Sequence, residues 1–150
     1  MRAVVQRCGY ASVNVEGKIV GEISKGIMAL VGFGPDDTEK DMDYILDKIS
    51  NLRIFTDEND KMNLSVKDIG GGLLIVPNFT LYGDARQGRR PGYSNAAQPE
   101  KAAAMFDRLK EKASQIDVKK VEFGIFQADM KVELLNDGPV TILLDSHKNF

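Results

Sequence analysis

The sequence predicts a single α+β domain: a mainly antiparallel sheet, curled or barrel-like, with two helices outside it. Three observations predict it. Short apolar runs broken by Gly, Pro and Asp turns recur along most of the chain, which is the punctuation of strands. Only two segments, about 38–51 and 98–115, carry the i, i+3, i+4 spacing of an amphipathic helix. At 150 residues and 43% hydrophobic side chains, with no internal repeat or low-complexity stretch, the chain suits one core and needs no second domain.

Taken in order, Ala3 to Cys8 reads as a strand, and Val13, Val15, Ile19 and Ile23 alternate about Glu16-Gly17, predicting a hairpin that turns there. The apolar run Ile27 to Phe33 is stopped by Gly34-Pro35. Met42, Ile45, Leu46 and Ile49 then fall on one helical face, with Thr38 as the cap and acids in the first turn, where the helix dipole favours them. Leu52 to Thr56 returns to strand character and meets Met62 to Val66 across Asp57-Glu58-Asn59-Asp60. Those acids lack the ligand spacing and the terminal glutamate of a calcium loop, so they read as a plain turn. Gly70-Gly71-Gly72 leads into a strand predicted over Leu73 to Leu81. Pro99 suits a first helical position, and Ala102, Met105, Phe106, Leu109 and Ala113 form one apolar stripe behind it. Met130, Val132 and Leu134 alternate, and after the break at Gly138-Pro139 the apolar run Val140 to Leu144 closes the domain.

Composition excludes several functions. Net charge is −2, from 20 basic and 22 acidic side chains, so no generally basic nucleic-acid surface exists and any RNA contact must be local. Acids crowd between Asp36 and Asp43, whereas Arg86, Arg89 and Arg90 cluster in a loop that contains Gly and Pro. The lone Cys8 cannot form an internal disulfide and the amino terminus lacks a basic-then-apolar leader, which predicts a cytoplasmic protein. No apolar run nears the ~20 residues that span a bilayer, so no membrane role is expected. The single histidine, His147, lies near the chain end and is a poor general base, and no segment clusters the ligands of a metal site, so neither a Ser-His-Asp triad nor a metal is expected. Gly32-Phe33-Gly34 lacks the following glycine and lysine of a phosphate loop, and Gly70-Gly71-Gly72 precedes a strand rather than a helix.

Two segments remain, Pro77-Asn78-Phe79-Thr80-Leu81 and Asn136-Asp137-Gly138-Pro139-Val140-Thr141. A hydroxyl beside unusual backbone suits acyl transfer, in which amide N–H groups hold an oxyanion. On spacing alone, Thr80 reads as a β-branched strand residue. Gly138-Pro139 reads either as a sharp turn or as a rigid backbone element aimed at a ligand.

These segments, with Met1-Arg2-Ala3-Val4-Val5-Gln6-Arg7, Asn51-Leu52-Arg53-Ile54-Phe55, Arg90-Pro91, Ala96-Ala97, Gly124, Phe126 and Ala128-Asp129-Met130, resemble the D-aminoacyl-tRNA deacylases along the whole chain. The resemblance implies a cytoplasmic homodimer that hydrolyses the ester joining a D-amino acid, or mistakenly attached glycine, to the 3′ end of tRNA, with no metal or organic cofactor. It implies that Gly138-Pro139 is a cis peptide reaching into the partner subunit's pocket, where a backbone wall rejects one side-chain direction and tolerates its mirror image. Thr80 and Phe79 become the candidate catalytic residues, and Asn78, Met130 and Asn136 join Gly138 and Pro139 in substrate binding. Arg86, Arg89 and Arg90 become the candidate tRNA contacts. Family members typically carry Ser-Gln-Phe-Thr-Leu where this chain has Pro77-Asn78-Phe79-Thr80-Leu81. Asn78 keeps the amide one methylene shorter, and Pro77 removes a hydroxyl and an N–H together.

Two routes to hydrolysis fit these residues. Thr80 attacks the ester, which needs a base the sequence does not offer, or the ribose 2′-hydroxyl helps activate water while main-chain amides near Phe79 and Thr80 hold the charge and Thr80 orients. Two alternatives stand beside the enzyme: a non-catalytic module binding the tRNA end, and a general esterase, although the usual nucleophile elbow is missing.

Overall fold

The amino-terminal alternation forms one strand rather than two elements: in the computed structural model, which describes residues 1–150, β1 runs Arg2–Val15. It turns through Glu16 and Gly17, both at positive φ as a tight two-residue hairpin requires, into β2, Lys18–Ile23. After β3, Gly26–Gly32, comes α1, Glu39–Asn51, entered at Thr38, whose N–H donates to the Asp41 carboxylate at 2.7 Å. A small hairpin of β4, Phe55–Thr56, and β5, Met62–Leu64, is shorter than the sequence predicts. Then come β6, Gly72–Pro77, a 3-10 turn over Phe79–Tyr82, α2 over Pro99–Ala113, β7 over Lys120–Phe123 and β8 over Lys131–Asp145.

β1 organises the main sheet. Along one edge it pairs antiparallel with β3 over Arg2–Cys8 and with β2 over Ala11–Val15, and along the other with β8. β3, β6 and β7 continue the sheet in parallel, giving the order β2-β1-β3-β6-β7 with β8 beside β1. The predicted antiparallel curl therefore stands, with a parallel section added. β7 curls back toward β2, so that a Cβ on Gly21 would sit 2.9 Å from the Phe123 carbonyl. The sheet is thereby nearly closed.

Two hydrophobic clusters follow from strand alternation. Ile27, Ala29 and Val31 of β3, with Leu73 and Ile75 of β6, face α1 and α2, joining Ile45, Ile49, Phe106 and Leu109 in the larger core. The intervening Met28, Leu74 and Val76 face the inside of the curl with Cys8, Val13 and Ile23. Strands buried on both faces read as continuous apolar runs, which is why β3 and β6 show no alternation in the sequence.

The prediction of a strand over Leu73 to Leu81 is corrected at its second half. The ladder ends at Pro77, opposite Val31, and Asn78 starts the 3-10 turn. Proline supplies no N–H to continue a ladder, and asparagine bonds its own backbone two residues on. Thr80 is thus an exposed turn residue rather than a strand residue. The run around Gly138-Pro139 also differs from a simple break: β8 passes through it, with Asp137 to Val140 extruded as a bulge opposite Arg7.

Candidate active site

The cavity opens where the inside of the curl meets the start of α2. It encloses about 990 Å³ between Leu30, Val76, Pro77, Asn78 and Phe79 on one side and Ala97, Pro99, Ala102, Phe126, Met130 and Val132 on the other. Its floor is apolar because Leu30, Val76 and Val132 point into the curl. Its rim is polar because the 3-10 turn and the loop over residues 126–129 present backbone there.

The 3-10 turn is built to approach β3 closely. A Cβ at Gly32 would lie 2.9 Å from the Asn78 carbonyl and 3.3 Å from the Leu81 Cβ, so glycine alone lets the turn lie flat on the strand. Asn78 N–H donates to the Val31 carbonyl at 2.7 Å. Underneath, the Arg2 guanidinium stacks 4.5 Å from the Tyr82 ring centroid and donates to the Leu81 carbonyl at 3.2 Å. Burial, helped by the Asp37 charge, pushes the Tyr82 phenol far above its ordinary value, so it stays neutral as a structural post.

Within the turn, the Asn78 Oδ1 accepts the Thr80 N–H at 3.1 Å and the Thr80 hydroxyl at 2.5 Å. The Phe79 N–H meets no protein acceptor. The Phe79 ring is 54% exposed and packs edge-on against Tyr93, centroids 5.1 Å apart, at the cavity mouth. Tyr93 lies in an irregular loop with no periodicity to flag it, so sequence reasoning passed it over. Asp129 also lines the cavity, but its carboxylate is turned out to solvent beside Lys131 at 3.2 Å.

Of the sequence-predicted substrate residues, Asn78, Phe79 and Met130 line this cavity, and Thr80 stands beside it in the same turn. Met130 lies over Gly124, where a Cβ would come within 2.8 Å of its sulfur. Asn136, Gly138 and Pro139 are not part of the cavity of their own chain. They occupy the β8 bulge, where pairing skips from Gln6↔Thr141 to Cys8↔Asn136. Asn136 closes the bulge, accepting from Val140 N–H and donating to the Thr141 hydroxyl, both at 3.1 Å. The Gly138-Pro139 peptide is cis and both residues are exposed. Arg7 fixes the bulge from β1, donating from Nε to the Asp137 carbonyl at 3.0 Å and from Nη1 to the Ile54 carbonyl at 2.7 Å. That contact joins residues 130 positions apart, which no local pattern could have revealed.

The arginine loop is closed at its base by paired backbone bonds between Asp84 and Gly92. Arg86 turns back onto Asp84 in a two-pronged pair, 2.9 and 2.7 Å, and holds that carboxyl down at about 2. Arg89 and Arg90 are exposed and make no ion pair.

His147 and the acidic segment, distant in sequence, do meet. Asp37, Asp41 and His147 bring ligand-type atoms within 4.8 Å of one another. Asp37 is already engaged by the Met1 ammonium at 2.7 Å, the Gly34 N–H at 2.6 Å and His147 at 2.9 Å. The arrangement ties the two chain ends to the start of α1, away from the cavity. No helix is long and apolar enough to cross a membrane.

Comparison with known proteins shows the family of the chain. A family model described as D-Tyr-tRNA(Tyr) deacylase matches residues 4–145. A D-aminoacyl-tRNA deacylase of Kosmotoga olearia is 61% identical, and one of Clostridioides difficile 58% identical, each over the full length of both chains. Among solved structures, a c-Myc DNA unwinding element binding protein superposes with a TM-score of 0.90 at 37% identity, covering 97% of this chain and 98% of that one. A probable eukaryotic D-amino acid tRNA deacylase shares the fold at a TM-score of 0.79 and 19% identity, covering 95% and 97%. With a family match across nearly the whole length and relatives this similar from end to end, the chain belongs to the D-tyrosyl-tRNA deacylase family.

Proposed function

We propose that this chain removes D-amino acids, and mistakenly attached glycine, from the 3′ end of tRNA, working in the cytoplasm as a homodimer in which Gly138-Pro139 of one protomer filters the cavity of the other. The observation that carries the reading is the cavity wall. An unengaged Phe79 N–H and a fixed hydroxyl sit side by side at the mouth of an apolar cavity, and no histidine or buried carboxylate faces them. That set suits a reaction whose proton acceptor comes with the substrate.

The ribose 2′-hydroxyl, next to the ester, fills that need. Water adds to the ester carbonyl as its proton passes through the 2′-hydroxyl to the departing 3′-oxygen. The carbon–oxygen bond to the ribose then breaks, leaving the free amino acid and the tRNA 3′-hydroxyl. The Phe79 N–H donates to the oxygen on which negative charge builds, and Thr80 orients the attacking group. A substrate ending in 2′-deoxyadenosine should therefore be cleaved at least about a hundredfold more slowly, on the scale of general acid–base assistance. Equal cleavage would remove the ribose from the mechanism.

Support for the chiral filter lies in the bulge. Gly138 and Pro139 project from β8, outside the cavity of their own chain, and Arg7 holds them rigid. On the same strand Leu135 and Leu143 are more than half exposed, an apolar surface suited to a second protomer. A wall of main chain collides with an L side chain and not with glycine, which has none, so glycyl-tRNA belongs among the substrates. Exposed and unpaired, Arg89 and Arg90 are suited to tRNA phosphates, whereas Arg86 contributes through Asp84 to the loop itself. Deacylation of matched D- and L-tyrosyl-tRNA tests the whole: cleavage of the first only is expected. Cleavage of neither would leave a tRNA-end-binding module, and cleavage of D-tyrosine methyl ester would make the protein a general esterase.

A further inference from the structure

We infer that Asn78 is a positioning residue, one whose carboxamide clamps Thr80 and commits the Thr80 amide and hydroxyl hydrogens to itself instead of to the substrate. The inference rests on the deacylase reading of the cavity. Its geometry is that of one acceptor and two donors. Oδ1 of Asn78 lies 3.1 Å from the Thr80 nitrogen and 2.5 Å from the Thr80 hydroxyl oxygen. A main-chain N–H can only donate, so the atom facing it is the carboxamide oxygen, and the amide orientation is fixed. That oxygen has no hydrogen, so the hydroxyl facing it must donate as well.

Two chemical consequences follow. First, the Thr80 N–H is occupied, which leaves the neighbouring Phe79 N–H as the free main-chain donor of this turn. Second, the Thr80 oxygen keeps its lone pairs and loses its proton's freedom, so toward the cavity it is an acceptor. As a nucleophile it would have to surrender its proton to an amide oxygen, which is a very weak base. As an acceptor it can receive a hydrogen bond from water or from the ribose 2′-hydroxyl, and its direction is set by the clamp. Chain length makes this possible: an asparagine side chain reaches the backbone N–H two residues on in the Asx geometry, and the extended Asn78 backbone, φ −150°, starts the turn in that form.

Amide hydrogen exchange on the unliganded protein reads the clamp without any substrate. Asn78→Ala should speed exchange at Thr80 by about fivefold, the worth of one hydrogen bond, with the β6 amides unchanged as the check on folding. Unaltered exchange at Thr80 would overturn the clamp. In single-turnover deacylation of D-tyrosyl-tRNA, Asn78→Ala and Thr80→Val should each lower the rate constant by about tenfold with apparent affinity within about twofold. Because one acts through the other, the double variant should be no slower than the slower single variant. Thr80→Ser, which keeps both donors, should stay within about threefold of wild type. Losses that multiply, or weakened affinity in Asn78→Ala alone, would show that the carboxamide touches substrate, and a loss beyond about a thousandfold in Thr80→Val would make Thr80 the nucleophile; either overturns the inference. If wild type leaves D-tyrosyl-tRNA intact, the deacylase reading falls, and the exchange experiment still decides the clamp.

Discussion

At Gly138 the backbone stands at φ +127°, a region that side chains of L residues rarely enter, and a Cβ there would lie 2.8 Å from the Arg7 guanidinium and 2.9 Å from Val140. Gly138→Ala must therefore displace the bulge or the arginine that holds it. Strain of this kind costs about 1–3 kcal/mol, enough to move the proposed wall, whose use would depend on its place. The expected outcome is at least about a tenfold fall in the ratio of D- to L-tyrosyl-tRNA cleavage, with the chain still folded. An unchanged ratio would separate the bulge from selectivity. Cys8 makes a different prediction. Burial pushes its thiol up to about 11 from 9.0, outweighing the backbone hydrogen bonds that favour the thiolate. A folded-state value above the unfolded one means that the native chain binds more protons in that window. Stability is thus undiminished below about pH 9 and declines as pH rises toward 11, by roughly 2–3 kcal/mol from this group. Denaturant titrations at pH 8 and pH 11 should show that decline in the wild type and about that much less of it in Cys8→Ala.

Among the elements, the 3-10 turn is the one on which the proposed chemistry rests, and its position depends on how closely it lies on β3. Gly32→Ala would place a Cβ against the Asn78 carbonyl and the Leu81 Cβ, neither of which is a flexible side-chain end. We expect a loss of about 1–3 kcal/mol in denaturant unfolding and, at temperatures where the variant is folded, deacylation slowed by about tenfold or more. The arginine loop predicts a binding effect instead. Arg89→Glu with Arg90→Glu should weaken tRNA affinity and reduce the slope of log affinity against log salt by about two, one per lost phosphate contact, whereas Arg86→Ala should act through a loosened loop. How far these elements were legible varies with the range of their causes. Met42, Ile45, Leu46 and Ile49 gave α1 away because a helix face is a local pattern, and the Glu16-Gly17 turn was readable for the same reason. The end of β6 was misplaced because Leu73 to Leu81 is apolar but for Asn78 and Thr80, although Pro77-Asn78 is a stop signal when weighed as turn chemistry. β7 escaped notice because four residues, only partly buried, make too short a pattern. In the candidate site, family resemblance pointed to Thr80 and Phe79, while Arg7 and Tyr93 depend on contacts that only the folded chain creates.

Over the whole molecule, the curl of one sheet produces two unlike surfaces. Its concave side closes over Met28, Leu74 and Val76 and opens as the cavity, while α1 and α2 cover the larger core. The strand pair β1 and β8 carries apolar side chains that no element of this chain covers: Tyr10 and Leu135 before the bulge are 43% and 56% exposed, and Leu143 after it, paired with Val4, is 57% exposed. Exposed apolar side chains before and after an exposed bulge on one strand are an arrangement a two-fold partner would bury. A symmetric pairing through this strand pair would also explain why the Gly138-Pro139 bulge lies outside its own cavity: each filter would serve the opposite protomer. The test is to place charge at the two exposed leucines that flank the bulge. Leu135→Asp with Leu143→Asp leaves the helix-facing core untouched, since both side chains are exposed and neither belongs to it. In light scattering the wild type should weigh twice the 16.6 kDa chain and the variant once. The variant should lose D-tyrosyl-tRNA cleavage or its chiral selectivity together with the dimer, because the cavity would then lack its wall. A wild type of single-chain mass with full D-selectivity would break the link between assembly and filtering, and the bulge would need another role.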